Sequence, residues 1–242
     1  MNKLPQWADV VLVPLVSLVL AAIVAAVVLL AIGQSPLAAL GIMVDGAFGT
    51  AAGWGYTLYY TTSFIFTGLS VIVAFHAGLF NIGGEGQAQL GGLGVALVCL
   101  ALPWPHWSVA LLAASLGAAV FGAAWAAIPA YLQAKRGSHI VITTIMFNYI
   151  ASAFIVYMLV DVLRPAGQMD PASAKFPAGA KLPTLSDMPL LREFFARVNA
   201  DGTPRLSKAG EVMYSNVPAN VTLFIALAAC VVVWALLWRT RL

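Results

Sequence analysis

The chain has 242 residues, 62% of them hydrophobic and 9% charged, and its mean hydropathy of +0.93 is far from that of a soluble domain. Its 12 Lys or Arg and 9 Asp or Glu leave a net charge of +3, too thinly spread to form a cationic face, which excludes nucleic-acid binding as a main role. Cys99 and Cys230 stand in apolar runs with neither disulfide nor zinc spacing. No HExxH or Gly-x-Ser-Gly motif occurs. The chain therefore reads as an all-α, polytopic membrane protein with no metal site and no catalytic residues, and not as an enzyme.

A membrane-spanning helix needs roughly 20 apolar residues. In chain order, residues 10–32, 59–80, 108–130, 140–160 and 220–238 meet that requirement. The first is too long for a signal-peptide core and has no small-residue cleavage pattern after it, so a retained helix is expected. A sixth candidate, 83–102, contains Glu85. Short-loop basic residues favour the cytoplasm. Only six crossings place Lys3, the pair Lys135 and Arg136, and the pair Arg239 and Arg241 all on that side. This count of about six puts the amino terminus in the cytoplasm.

Thirteen charges fall between Asp161 and Glu211, which marks 164–219 as an extracytoplasmic loop. It holds seven of the 13 prolines, so it is expected to be extended or turning and not a second folded domain. Within it Leu190, Leu191, Phe194, Phe195 and Val198 recur at helical spacing after Ser186 and Pro189, predicting a short amphipathic surface helix. Such a helix fits lipid headgroups. Asn220-Val221-Thr222 matches a glycosylation triplet, but a triplet at a membrane boundary is a poor acceptor.

The densest polar chemistry in the apolar part is Asn81, Gly83, Gly84, Glu85, Gly86, Gln87 and Gln89. Glycines weaken a helix by about 1 kcal/mol each relative to alanine, and a carboxylate at membrane depth costs several kcal/mol unless paired or wet. Non-helical backbone at that depth is tolerated where it lines a cavity or is buried in protein, and broken helices form transport sites. One reading is a broken or re-entrant segment over 81–89 on a substrate pathway. The other is close helix packing by the glycines, with Glu85 and the glutamines as interhelical hydrogen-bonding groups. Spacing alone leaves both open. A self-contained secondary transporter or channel would use Glu85 as its proton or cation site. A dinucleotide fingerprint fails, because a Gln stands at its last Gly position and no parallel-sheet context surrounds it. No Walker A sequence is present.

The run Phe80-Asn81-Ile82-Gly83-Gly84-Glu85-Gly86-Gln87 is followed by Ile128-Pro129-Ala130-Tyr131-Leu132-Gln133-Ala134-Lys135-Arg136-Gly137. Then comes Val141-Ile142-Thr143-Thr144-Ile145-Met146-Phe147-Asn148-Tyr149-Ile150. In this order they resemble the signature of permease subunits of bacterial ABC importers, in the nucleoside and simple-sugar branch of the branched-chain amino acid/sugar permease family. The resemblance runs from about Asp45 to the end. It implies a single transmembrane permease domain over 1–242, incomplete at its carboxyl end, in the bacterial inner membrane. It implies that the chain itself carries no cofactor, ATP being bound by partner ATPase subunits. A second permease subunit and an extracytoplasmic substrate-binding protein complete the implied assembly. A short cytoplasmic helix around Tyr131, Lys135, Arg136, Gly137, Ser138 and His139 is implied to couple to the ATPase. The sequence departs from the family pattern at Ile140, where an acidic residue is usual.

Smaller features complete the reading. His76 is expected to be packed and hydrogen-bonded. His106 belongs with Trp104 and Trp107 to an interfacial aromatic belt, as do Tyr56, Tyr59 and Tyr60. Asn148 is expected to bond between helices, since an unpaired amide there is costly. Ala113, Gly117, Phe121, Gly122 and Ala126 form a small-residue packing series.

Overall fold

The computed structural model describes residues 8–78, 80–199, 203–207 and 210–239. Lys3 and Arg241 of the topology argument lie outside them. Eight α-helices occur among the described residues: α1 (Val13–Ala31), α2 (Pro36–Phe48), α3 (Ala51–His76), α4 (Gly84–Ala101), α5 (Trp107–Arg136), α6 (Ile140–Tyr157), α7 (Pro189–Arg192) and α8 (Thr222–Arg239). A π-helical turn over Met158–Val162 continues α6. Five helices are long and apolar enough to cross a membrane: α1, α3, α5, α6 with its extension, and α8. They correspond to the five uncharged stretches. The sixth candidate is α4, 18 residues long and so about 27 Å, whose first two turns carry the polar residues.

The chain divides into two compact units within α3, between Thr57 and Leu58. In the first, α1 leads through a turn with Gly33 at φ 77° to α2. Ser35 Oγ accepts from Ala38 N at 3.4 Å, and Pro36 takes the first helical position, where its missing N–H costs nothing. This helix is absent from the hydropathy reading because its 13 residues reach only about 20 Å. The α2–α3 corner is tight. Gly53 abuts the Gly46 carbonyl, Thr57 Oγ1 donates to Ala47 O at 3.0 Å, and Phe48 meets Trp54 edge to face at 4.8 Å.

In the second unit α4 packs along α5 and α6. Leu90, Leu93 and Ala151 form one buried cluster, with Phe121, Trp125 and Ile155 against it. Cys99, Ala110, Ala114 and Ala180 form another beside Val95, Val98 and Trp104. Glycine makes the α4–α5 approach possible. A Cβ on Gly94 would lie 2.5 Å from Gly117 O, and one on Gly91 3.4 Å from Ala118 O, the close backbone contact that small residues permit in membranes. Gly117, Phe121 and Gly122 of the predicted packing series all lie along this seam.

The charged segment between α6 and α8 folds back on the helices. Three-residue 3-10 turns occur at Ala178–Ala180, Leu185–Asp187 and Glu193–Phe195. Gly179 rests on the Trp104 carbonyl in the α4–α5 turn, and Leu185 N donates to Ala219 O at 2.9 Å. Leu185, Phe195 and Val217 are each 1% exposed. The predicted amphipathic helix through Val198 is corrected: α7 has four residues and its 3-10 extension ends at Phe195. Beyond that point Ala196 pairs with Tyr214 and Val198 with Pro204, because extended backbone finds hydrogen-bond partners there. Leu190 is 92% exposed while Phe195 is buried, so the apolar positions do not share one face. Asn220 is committed to the chain's own backbone, its Oδ1 accepting from Thr222 N at 3.0 Å at the start of α8.

Candidate functional site

The polar residues around Glu85 occupy the start of α4. The chain is non-helical from Ala77 to Gly83, apart from Leu79, which lies outside the described residues, and regular from Gly84. This corrects the expected break over 81–89: Gly84, Glu85, Gly86, Gln87 and Gln89 belong to a continuous helix, and only Asn81 to Gly83 of that stretch lie outside it. The glycines do not prevent helix formation because packing against α5 and α6 outweighs their low propensity.

A helix start leaves four N–H groups without intrahelical acceptors, and at α4 the N-cap is Gly83, which has no side chain to supply one. Two asparagines substitute. Asn81 Oδ1 accepts from Gly83 N at 2.8 Å. Asn148, one helix away on α6, accepts from Gly86 N at 2.9 Å and donates through Nδ2 to Ile82 O at 3.0 Å. Asn148 thus bonds between helices as expected, and it caps α4 from outside. One turn further on, Gln89 Nε2 donates to Ser152 Oγ at 3.0 Å. Gln87 and Asn81 pair through their amides at 3.3 Å. A Cβ on Gly86 would stand 3.0 Å from both Asn148 Oδ1 and Trp125 Nε1 and 3.2 Å from Ala151 Cβ. That Trp125 nitrogen is buried and has no hydrogen-bond partner among the described residues.

Three groups at this helix start remain unclaimed. The N–H groups of Gly84 and Glu85 and the Glu85 side chain make no hydrogen bond or ion pair among the described residues. Both residues line a cavity of about 300 Å³ between α3, the connecting segment and α4, with Ser70, Phe75, Phe80 and Asn81 among its walls. Gln87 and Gln89 are tied to protein partners instead.

The second predicted group lies at the carboxyl end of α5. Tyr131, Lys135 and Arg136 are the exposed last turns of this 30-residue helix, and Gly137, Ser138 and His139 are the connector to α6. A separate short helix there, as the resemblance implied, is corrected: α5 is unbroken through Arg136. Gly137 at φ 68° lets the chain reverse, its N–H donating to Gln133 O at 3.2 Å and that of Ser138 to Leu132 O at 3.3 Å, the usual glycine-terminated helix end. Ser138 Oγ is buried without a partner among the described residues, and the His139 carbonyl accepts from Thr143 Oγ1 at 3.0 Å.

The fold brings these two groups to the same end of the bundle. Helices α4 and α6 run parallel, with Gly83 against Thr144, Gly86 against Asn148 and Ala151, and Gln89 against Ser152. Thr144 stands four residues beyond Ile140, about 6 Å along the helix axis. The start of α4 is therefore about one helical turn from the α5–α6 connector. Sequence reading did not single out Ser70, Phe75, Thr144 or Ser152; the last is one turn beyond Asn148 on the same face, a signal that was available.

His76 Nδ1 lies 3.1 Å from Ile72 O, and its ring packs on Trp238 at 5.6 Å. His106 also has a local structural role, accepting from Ser108 N at the start of α5.

Comparison with known proteins bears on this arrangement. The family described as branched-chain amino acid transport system / permease component matches over residues 53–242. The chain is 38% identical over 152 residues to a guanosine ABC transporter permease of Bacillus subtilis, covering 63% of this chain and 43% of that protein. It is 39% identical over 150 residues to a nucleoside ABC transporter permease of Lactococcus lactis, covering 62% and 41%. A glucose ABC transporter permease of Haloferax volcanii is 36% identical over 147 residues, covering 60% and 38%. The chain thus spans about two fifths of the length of these relatives. No solved structure matches.

Proposed function

This chain belongs to the permease-component family of branched-chain amino acid transport systems, and we propose that it contributes the transmembrane pathway of an ATP-driven importer for a small polar solute, with nucleosides the favoured class and simple sugars the next. Two of the named relatives are nucleoside permeases and one is a glucose permease. The observation that carries the proposal is the start of α4, where Gly84 and Glu85, whose N–H groups and carboxyl have no protein partner among the described residues, line a cavity while Asn81, Gln87 and Gln89 are hydrogen-bonded within the protein. Glu85 is exposed on this cavity; at membrane depth an unpaired carboxyl is costly unless it is wet or bonded, and a passing polar solute or water would satisfy it.

On this reading the chain holds no ATP and performs no catalysis. Partner ATPase subunits supply the energy, a second permease subunit completes the pore, and an extracytoplasmic binding protein delivers solute. With α4 as the sixth crossing, the Lys135–Arg136 connector and the start of α4 both lie toward the cytoplasm in the inner membrane, and 164–219 lies outside. A pull on the connector moves α6, and through Asn148 and Ser152 it carries the start of α4, opening or closing the cavity. This is a rigid transmission of about one helical turn.

The test is uptake in proteoliposomes holding the complete importer. Glu85→Ala and Gly84→Leu are expected to lower ATP-dependent uptake at least tenfold with little change in thermal unfolding, because a side chain at Gly84 meets only Ser70 Oγ, 4.0 Å from its Cβ, and extends into the cavity. Wild-type uptake by both variants refutes the pathway. Uptake without any ATPase favours a secondary transporter built on Glu85.

A further inference from the structure

The walls of the α3–α4 cavity are chemically divided. Phe75 and Phe80, 67% and 58% exposed, lie on it beside Val71 and Ile82. Its polar groups sort by what is already bonded. Thr67 Oγ1 is committed to Ser63 O at 2.9 Å, and the Asn81 amide to Gly83 and Gln87. The Glu85 carboxyl and the Ser70 hydroxyl have no partner among the described residues. Both residues line this one cavity, and Ser70 Oγ is 4.0 Å from where a Cβ of Gly84, the neighbour of Glu85, would stand. Among the described residues, no Lys, Arg or His lines the cavity.

From this division we infer that the cavity is a nucleoside subsite, with Glu85 and Ser70 taking the ribose hydroxyls and Phe75 and Phe80 receiving the base. The inference rests on the importer reading above and deepens it. A carboxyl group accepts from hydroxyls, and with no Lys, Arg or His among the described residues of the lining to pair a phosphate, nucleotides and sugar phosphates are disfavoured. Two exposed rings offer stacking surface that every base can use and that a sugar uses less fully. A volume of about 300 Å³ is at the small end of ligand pockets, roughly 300–1,000 Å³, and suits one nucleoside rather than an oligomer. Ser70 and Phe75 act from α3, so the subsite forms only while α3 and the start of α4 stand together.

The experiment uses the complete importer in proteoliposomes and the photoprobe 8-azidoadenosine. Labelling is expected on the peptide spanning 75–85, with adenosine protecting at least tenfold better than 2′,3′-dideoxyadenosine, because a site built to bond hydroxyls rejects an analogue lacking them. Adenosine monophosphate is expected not to protect. In Glu85→Gln, which keeps the side-chain volume, the preference for adenosine over its dideoxy analogue is expected to collapse below threefold; Ser70→Ala halves it at least. Phe80→Leu is expected to weaken labelling roughly tenfold with the hydroxyl preference intact. Equal protection by adenosine and dideoxyadenosine in the wild type, an unchanged preference in Glu85→Gln, or labelling confined to other peptides overturns the subsite. If ATP-driven uptake of nucleosides and sugars is absent altogether, the importer reading fails instead. Thermal unfolding of each variant separates loss of the subsite from loss of fold.

Discussion

Capping of α4 by a residue on another helix gives a sharp prediction. Replacing Asn148 with Ala or Leu removes the acceptor for Gly86 N, at 2.9 Å, and the donor to Ile82 O, at 3.0 Å. A capping acceptor contributes about 1 kcal/mol, and an interhelical side-chain bond in a membrane protein averages about 0.6 kcal/mol with an upper value near 1.7. Gly86 is buried, so its freed N–H finds no easy replacement by water. The loss comes to about 2 kcal/mol and is local to the start of α4. At 1.4 kcal/mol per factor of ten, opening of this segment becomes roughly 30-fold more frequent. Hydrogen exchange read by mass spectrometry on the detergent-solubilised protein is the assay. Amides of Gly86 to Gln89 are expected to exchange about 30-fold faster, while those of the Cys99 and Ala110 cluster at the far end of α4 keep wild-type rates. A rise below threefold in both variants would refute the capping argument, and a uniform rise along α4 would show that Asn148 supports global rather than local structure.

Two further outcomes are expected. Gly94→Ala places a Cβ 2.5 Å from Gly117 O and 2.8 Å from Gly117 C; overpacking costs about 1–3 kcal/mol against a helix-propensity gain of about 1, so the melting temperature in detergent falls, and a rise would contradict the close contact. In the charged segment between α6 and α8, hydrogen bonds from the Thr184 N–H and hydroxyl, 2.9 and 2.8 Å from Asp187 Oδ2, hold the Asp187 carboxyl below its ordinary pKa, with Lys181 and Arg192 assisting. Because the folded value is depressed, this contribution is complete above the ordinary carboxyl pKa and is lost as pH falls through the folded value. Asp187→Asn should remove that acid-dependent part of the segment's exchange protection, and an unchanged acid dependence in the variant would exclude Asp187 as its source.

The five long apolar stretches and the charged segment were legible because hydropathy and charge are local properties of the chain. Asn148 was legible for a related reason: an amide in the middle of an apolar run must find a partner somewhere. What the pattern could not supply was which partner. Glycine illustrates the limit. The run around Gly83, Gly84 and Gly86 suggested a broken helix, yet Gly86 sits in regular helix because any larger residue would meet Asn148, Trp125 and Ala151. The packing reading is met where the glycines at 91 and 94 approach α5 and Gln89 bonds Ser152, whereas the interruption lies just before Gly84 and not over 81–89.

Residues 190–198 failed in the opposite direction. Their apolar period is real, but a seven-residue helical run gains few backbone bonds, and pairing of Ala196 with Tyr214 and Val198 with Pro204 satisfies the chain instead. Helix α2 was missed because a 13-residue helix makes no crossing-length signal.

By itself the sequence determined the membrane class, the long helices, the charged segment between α6 and α8 and the family, all of which depend on residue type and short-range order. Only the tertiary structure decided that α4 starts one turn from the α5–α6 connector, that Asn148 closes its first turn, and that Glu85 and Ser70 share a cavity. These are relations between helices far apart in the chain, fixed by how side chains fill the space between backbones, and no local pattern encodes that distance.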